Sequence, residues 1–341
     1  MKLSFDRTNE EIDKIIDDLL RRTEAKQPEI IREMILTALK TGQESSYLAD
    51  LKLMCTTMKE MRYTNKVFAP YRDRKKVTIF GSARTGPDEK IYRTCVNFSR
   101  LLVEREYMVI TGGGPGIMQA GNEGAGAENS FAVNIRLPFE QDTNPVMQES
   151  DKSITYKYFF NRKVAFLKEA HAVALFPGGF GTLDEAMEIM TLVQTGKNPP
   201  IPIVMVDDEK GYWEDWFSFT RDSLLRRGLI SGEDFSLFSI TTDPEEAVQF
   251  IDDFYRNYHS LRFVGERLVI RLNTALDSSH LQVLISEFSE IIRPGGTLQL
   301  TGPLPEERDQ PDLLTLPRLT LDFNRRSYGL LKAFIRRINS F

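Results

Sequence analysis

Three short loops rich in glycine, serine or threonine each follow an apolar stretch, and this repeat constrains the fold most. The loops are GSAR at 81–84, TGGGPG at 111–116 and PGGFGT at 177–182. In parallel α/β sheets, ligands bind beyond the carboxyl ends of the strands. Because all three loops follow predicted strands, we expect them to open on the same edge of one sheet.

Apolar strands alternate with helical segments from Lys75 to about Tyr258. The pattern predicts six strands, at 77–82, 107–114, 131–138, 172–179, 202–207 and 237–243. Continuous apolar strands separated by helices are typical of a parallel sheet covered on both faces. The predicted fold class is therefore α/β, with a Rossmann-like parallel sheet flanked by helices over residues 71–260.

The two flanking segments have different patterns. Residues 1–70 carry apolar side chains at helical spacing, which predicts an N-terminal helical segment. Pro28 is expected to open its second helix and Gly42 to close it. Residues 261–341 have the predicted order β-α-β-β-α, which indicates a small α+β domain. Its role is left open, and regulation is one hypothesis.

The loop at 111–116 is suited to hold an anion. Its glycines let the backbone approach a ligand, and a helix is predicted to start directly after it. A phosphate is the expected ligand, and a tight turn without a ligand is the alternative. The dinucleotide pattern G-x-G-x-x-G fails at Ile117 and Gln119, and no Walker A pattern is present. Hydride transfer and ATP hydrolysis therefore lose support.

The loop at 177–182 leads into a second helix. Thr182 is expected either to cap that helix or to meet a phosphate oxygen. With Thr182 as the N-cap, Glu185 would complete a capping box, which is the purely structural interpretation. The two glycines before it favour a binding site.

A helix is predicted through TYKYFFNRKVAFLKEA, residues 155–170. Arg162 and Lys163 lie within its aromatic run. They could extend their charged ends to solvent or pair with carboxylates. The helix lies between the third and fourth predicted strands, so these two residues could also reach the shared edge of the sheet.

The four motifs GSAR, GGGPGIMQAGNEGA, FFNRK and PGGFGTLDE together resemble the LOG (Lonely Guy) family, also labelled "lysine decarboxylase-like". The order and spacing are similar over residues 75–258. The family hallmark PGGxGTxxE is matched from Pro177 to Glu185. The resemblance implies phosphoribohydrolase activity, in which a nucleoside 5′-monophosphate such as AMP or a cytokinin ribotide yields free base and ribose 5-phosphate.

The resemblance also implies the site residues. Arg162 and Glu185 correspond to the catalytic pair. The implied substrate contacts are Ser82, Arg84, Gly113, Gly114, Met118, Lys163, Gly178, Gly179, Gly181 and Thr182. No metal and no cofactor is implied. The decarboxylase label fits poorly, because no distinctive lysine context for pyridoxal phosphate is present.

The proposed chemistry suits these residue types. Cleavage of an N-glycosidic bond builds positive charge on the ribose, which a carboxylate such as Glu185 could stabilise while it orients water. Arg162 would hold the ribose and favour the ionised carboxylate. A non-catalytic nucleotide sensor or carrier is the alternative, since folds of this kind also serve binding alone.

Composition limits the partners. With 49 acidic and 44 basic residues, the net charge of −5 argues against general nucleic-acid binding. Cys55 and Cys95 are expected to be reduced core thiols, and His171, His259 and His280 to be structural. The acidic start lacks the apolar core of a signal peptide, and no apolar run is long enough to span a membrane. We expect a cytoplasmic protein, and the resemblance implies a homodimer or larger homo-oligomer.

Overall fold

The computed structural model describes residues 9–137 and 142–341. The chain divides into two compact units, Met1–Asn65 and Lys66–Phe341. Pro138, the last residue of the predicted third strand, lies outside the described residues.

The first unit is helical, as predicted. Its elements are α1 (Glu10–Arg22), α2 (Pro28–Glu44) and most of α3 (Leu48–Phe68). The side chain of Asn9 caps α1 by accepting a hydrogen bond from the Ile12 N–H at 2.9 Å. The helix α2 begins at Pro28 but continues past Gly42, so the prediction that Gly42 closes it is wrong. A glycine inside a helix costs only about 0.5–1 kcal/mol relative to alanine, which the rest of the helix can offset.

The second unit contains a parallel sheet in the strand order β4-β3-β2-β1-β5-β6-β7. These strands are β1 (Lys76–Phe80), β2 (Met108–Thr111), β3 (Ser130–Ile135), β4 (Ser153–Tyr156), β5 (Ala172–Leu175), β6 (Ile203–Val206) and β7 (Ser239–Thr241). All six neighbouring pairs are parallel, which confirms the predicted fold class. The direction of winding reverses between β1 and β5, and such a reversal opens a crevice at the carboxyl ends of the strands.

Helices cover both faces of this sheet. On one face lie α4 (Lys90–Glu104), α5 (Ile117–Ala125) and α9 (Pro244–Phe254), and on the other lie α6 (Phe159–Glu169), α7 (Phe180–Gln194) and α8 (Tyr212–Phe219). Successive side chains of a strand point to opposite faces. Ile79 and Phe80 accordingly belong to different apolar clusters, and both are buried. This explains why the strands are apolar without alternation.

The strand β4 was not predicted, and its last residues were assigned to a helix. Thr155 and Tyr156 belong to β4, and α6 begins only at Phe159. The strand is four residues long and pairs with β3, so that Asn134 lies opposite Thr155. Its burial alternates along SITY, which is too short a stretch to distinguish a strand from a helix by periodicity.

A second sheet follows in the same unit, with antiparallel order β10-β11-β9-β8. Its strands are β8 (Tyr258–Val264), β9 (Arg267–Leu272), β10 (Leu298–Thr301) and β11 (Arg318–Leu321). The helices α10 (Ser278–Glu287) and α11 (Tyr328–Ile338) share its apolar core. The predicted order lacks β8, whose side chains are mostly half-buried and therefore give a weak apolar signal.

A buried charge cluster anchors the polar loop between β10 and β11. Glu307 accepts hydrogen bonds from Arg271 at 2.7 Å and Arg318 at 2.8 Å, and all three side chains are buried. Burial alone would raise the pKa of Glu307, but the hydrogen bond from the Leu304 N–H and the two cations together lower it. A buried pair is costly to break because one partner is left unpaired, so the cluster holds the loop against the sheet.

Candidate functional site

A cavity of about 750 Å³ opens at the carboxyl edge of the parallel sheet, beside the crevice between β1 and β5. Residues from all three glycine, serine or threonine loops line it. The predicted site residues that line it are Ser82, Arg84, Gly114, Met118, Arg162, Gly179, Gly181, Thr182 and Glu185. Gly113, Lys163 and Gly178 are not among the lining residues, and each of them lies directly beside one that is.

Arg162 extends from the first turn of α6 into the cavity wall. Its Nε donates a hydrogen bond to the carbonyl oxygen of Val133 at 2.8 Å, and its guanidinium lies 5.0 Å from the ring centroid of Phe166. Burial lowers the pKa of Arg162 to about 10, while the charge of Glu185 opposes this effect. The group is thus a fixed cation with little water around it, and such a cation interacts strongly with an anionic ligand.

Glu185 lies in α7 and is 6% exposed. Its Oε1 lies 3.2 Å from the Nζ of Lys163, whereas its Oε2 is buried and has no hydrogen-bond partner among the described residues. Burial raises the pKa of Glu185, and Lys163 opposes the rise. One oxygen is therefore anchored and the other is left for a ligand or water.

Lys163 points to a cluster of carboxylates and is not itself a lining residue, although two of its partners, Asp184 and Glu185, line the cavity. Its Nζ lies 2.8 Å from Asp184, 2.6 Å from Glu188 and within ion-pair distance of Glu185. Burial lowers the pKa of Lys163, but these three partners together raise it above its usual value. The direct cationic neighbour of Glu185 in the described residues is therefore Lys163, and the influence of Arg162 on that carboxylate is weaker.

The start of α7 differs from the capping-box interpretation. The helix begins at Phe180, its N-cap is Gly179, and no side chain caps it. Thr182 is the third helical residue, so the hypothesis that it is the N-cap is wrong. The physical reason is that Gly179 already accepts hydrogen bonds from the N–H groups of Thr182 and Leu183. The first amide groups of α7 consequently face the cavity without a side-chain acceptor.

The loop before α5 is packed more tightly. A Cβ on Gly113 would collide with the side chain of Asn134, and one on Gly116 would collide with the carbonyl of Ser82. Gly116 is the N-cap of α5 with φ of 69°, and no side chain caps this helix either. Two helices that lack side-chain caps thus begin at one cavity, an arrangement that favours an anion.

Sequence reasoning missed Gly112 and Asn144. A Cβ on Gly112 would lie 2.5 Å from both the Arg162 guanidinium and the Met118 sulfur. Asn144 is buried and donates hydrogen bonds to the carbonyl of Gly113 at 2.8 Å and to that of Gly114 at 3.2 Å. The glycine run could have indicated Gly112, whereas no local pattern indicates Asn144.

Apolar side chains also line the cavity. They are Met118, Ile135, Leu137, Phe159, Phe180 and Leu183. Phe180 is 94% exposed and Phe159 is 54% exposed. Ligand sites commonly combine such a surface with a few polar groups. The cavity lining therefore combines the starts of two helices with apolar side chains.

No histidine or cysteine is among the described residues that line this cavity. Within residues 9–137 and 142–341, no cluster of histidine, cysteine and acidic side chains is arranged to bind a metal. His171 accepts a hydrogen bond from the Lys76 N–H, and burial lowers the pKa of His171 to about 4. Cys95 is buried but Cys55 is exposed, so the prediction that both are core thiols is wrong for Cys55. No described helix is long and apolar enough to cross a membrane.

The sequence matches a known family over part of the region that carries this cavity. Residues 115–251 match the family described as "Possible lysine decarboxylase". A relative named "Probable cytokinin riboside 5'-monophosphate phosphoribohydrolase LOG4", from Oryza sativa subsp. japonica, is 25% identical over 178 residues, which cover 50% of this chain and 74% of that protein. The central region of the chain is therefore similar to proteins of the LOG family. Arg162, Thr182 and Glu185 lie inside the matched segment.

A second LOG relative covers a similar share. The cytokinin riboside 5'-monophosphate phosphoribohydrolase LOG7 of Arabidopsis thaliana is 24% identical over 186 residues, covering 53% of this chain and 82% of that protein. Among solved structures, the molybdenum cofactor binding protein from Rippkaea orientalis is 17% identical, with a TM-score of 0.37, and covers 52% of this chain and 96% of that chain.

Proposed function

We propose that this protein, whose central region is similar to the LOG family, hydrolyses the N-glycosidic bond of a nucleoside 5′-monophosphate, giving free base and ribose 5-phosphate. One observation carries the proposal: Arg162 and Glu185 line the same cavity as the starts of two helices that no side chain caps. The names of the LOG relatives support phosphoribohydrolase chemistry for the family.

The phosphate would bind at the helix starts. Gly179 and Gly181 line the cavity, and a Cβ on either would meet no protein atom within 4 Å. The backbone there is open to a ligand, and exposed N–H groups at a helix start favour an anion. Binding the phosphate, which does not react, supplies energy that positions the sugar.

The ribose would lie between Arg162 and Glu185. As the bond from C1′ to the base nitrogen breaks, its electron pair leaves with the base, and positive charge develops on the sugar. The free Oε2 of Glu185 is suited to stabilise that charge and to accept a proton from the attacking water. The water oxygen bonds to C1′, the proton that Glu185 accepted is passed on to the departing base, and the carboxylate is regenerated.

The test is release of free base from AMP, the other nucleoside 5′-monophosphates and cytokinin ribotides, followed by chromatography. Glu185→Gln should lower kcat by about 10²–10⁴-fold, because the amide cannot accept the proton, while ribose 5-phosphate still binds. Glu188→Gln is the matched control, since Glu188 also pairs with Lys163 but is not a lining residue. Its kcat should stay close to that of the wild type.

Two results would contradict the proposal. Equal turnover by Glu185→Gln and the wild type would exclude Glu185 as the general base. Tight nucleotide binding without release of base from any monophosphate would instead support the alternative, a nucleotide sensor or carrier.

Three expectations stay predictions beside this proposal: the homodimeric or larger assembly, the cytoplasmic location and a regulatory role for residues 261–341. Light scattering on the purified chain would test the assembly. A single-chain mass in solution would contradict it.

A further inference from the structure

We propose that Tyr212 is a positioning residue that directs the Gly179 N–H into the phosphate end of the cavity. The inference rests on the proposed function and adds a residue from α8, an element the proposal does not use. The Tyr212 hydroxyl donates a hydrogen bond to the carbonyl oxygen of Gly178 at 2.6 Å. Tyr212 itself is not a lining residue of the cavity.

The planarity of the peptide bond links the two ends of this contact. The carbonyl of Gly178 and the N–H of Gly179 belong to one peptide group, and in a trans peptide they point in opposite directions. Holding the carbonyl towards α8 therefore turns the N–H away from α8. Gly179 lines the cavity, and no acceptor among the described residues binds its N–H.

The peptide between these two residues needs an external anchor because glycine flanks it on both sides. Reversing a peptide plane changes ψ of one residue and φ of the next, and glycine tolerates both changes at little steric cost. Gly178 cannot be exchanged for a stiffer residue, since its Cβ would collide with Thr182. A hydrogen bond to the carbonyl is thus the available means of selecting one orientation.

The phenol is held by a rigid support. At the end of β6, the buried carboxylate of Asp207 accepts hydrogen bonds from the N–H groups of Trp213 at 3.0 Å and Glu214 at 3.1 Å, which fixes the start of α8. The Tyr212 ring packs edge-on against the fully buried Trp213, with ring centroids 4.8 Å apart. The hydroxyl is therefore held in place before any ligand binds, which reduces the cost of binding.

The loop before α5 uses the same arrangement with a different donor. The carbonyl of Gly113 accepts from the backbone N–H of Asn144 at 2.8 Å, and the N–H in that peptide group belongs to Gly114, which lines the cavity. A backbone donor can be removed only by substitution with proline, which also constrains the chain, whereas the Tyr212 hydroxyl can be removed without changing the backbone.

The experiment compares the wild type with Tyr212→Phe, which deletes a single oxygen. We expect the Kd for ribose 5-phosphate and for inorganic phosphate to rise roughly five- to twentyfold, the range that one hydrogen bond supplies. KM for the monophosphate should rise similarly, while kcat changes less than about twofold. Binding of adenosine, which lacks the phosphate, should not change.

Tyr328→Phe is the matched control, because it removes a phenol hydroxyl from α11, whose residues do not line the cavity. It should leave every phosphate affinity unchanged. Equal phosphate affinity of Tyr212→Phe and the wild type would overturn the positioning role and leave the hydrolase proposal intact. Phosphate binding that depends on Tyr212, without release of base by the wild type, would overturn the hydrolase proposal alone.

A second measurement needs no substitution at Tyr212. In the wild-type protein labelled with ¹⁵N-glycine, the Gly179 amide signal should shift when inorganic phosphate is added. The signal is identified by its loss in Gly179→Ala. An unchanged Gly179 signal at saturating phosphate would overturn the inference even if Tyr212→Phe failed to fold.

Discussion

The two glycine loops at the cavity look alike in sequence but are built differently. In the loop at 111–116, a Cβ on Gly112, Gly113 or Gly116 would collide with neighbouring side chains or backbone. In the loop at 177–182, a Cβ on Gly178 would collide with Thr182, whereas one on Gly179 or Gly181 would enter open space. The first loop is glycine-rich because the protein packs on itself there. The second loop has glycines that no protein contact requires, and a ligand that approaches the backbone would require them.

The largest effect is expected for Gly116→Ala in the first loop. Its backbone has φ of 69° and ψ of −134°, a conformation that residues with a Cβ rarely adopt, and the new methyl group would collide with the Ser82 carbonyl. We expect a loss of roughly 2–4 kcal/mol in the free energy of unfolding. Urea denaturation measures it. An unchanged midpoint would contradict the interpretation that packing requires this glycine.

Gly181→Ala should give the opposite profile. Because its Cβ would meet no protein atom and the residue lies in the first turn of α7, the free energy of unfolding should change by less than about 1 kcal/mol. The methyl group would instead obstruct the cavity and weaken ribose 5-phosphate binding by roughly 10–100-fold. Calorimetric titration measures this loss. Unchanged affinity would contradict the interpretation that a ligand requires the glycines of the second loop.

The smallest effect concerns pH, and it belongs to the second loop because Glu185 lies just after it. Burial raises the pKa of Glu185 above its ordinary 4.5, and Lys163 opposes the rise. The ionised form is the active one, so kcat should rise with pH through this raised pKa. Lys163→Met removes the opposing cation and should move this limb of the kcat profile to higher pH.

Lys168→Met is the matched control for that pH profile. Lys168 lies on the same helix and pairs with Glu169, away from the cavity lining. Its profile should overlay that of the wild type. A Lys163→Met profile that also overlays the wild type would show that Lys163 does not affect the pKa of Glu185.

Local patterns predicted the main architecture and much of the candidate site. Apolar strands ending in glycine loops predicted the parallel α/β sheet, because a strand buried on both faces must be apolar along its length. The same logic brought Arg162 and Glu185 to one edge, since the carboxyl ends of parallel strands meet there. Local patterns could not predict β4, because a strand of four residues is too short to show a distinct periodicity.

The sequence by itself determined the fold class, the order of the loops and the residue types available for chemistry, because each depends on periodicity or on neighbours along the chain. Only the tertiary structure decided that Lys163 meets three carboxylates, that Gly179 caps α7 in place of Thr182 and that Tyr212 fastens the Gly178 carbonyl. These contacts join residues that are distant in the sequence, or depend on the direction in which a side chain points. Tertiary packing determines these contacts and these side-chain directions, and the spacing of residues along the chain does not encode them.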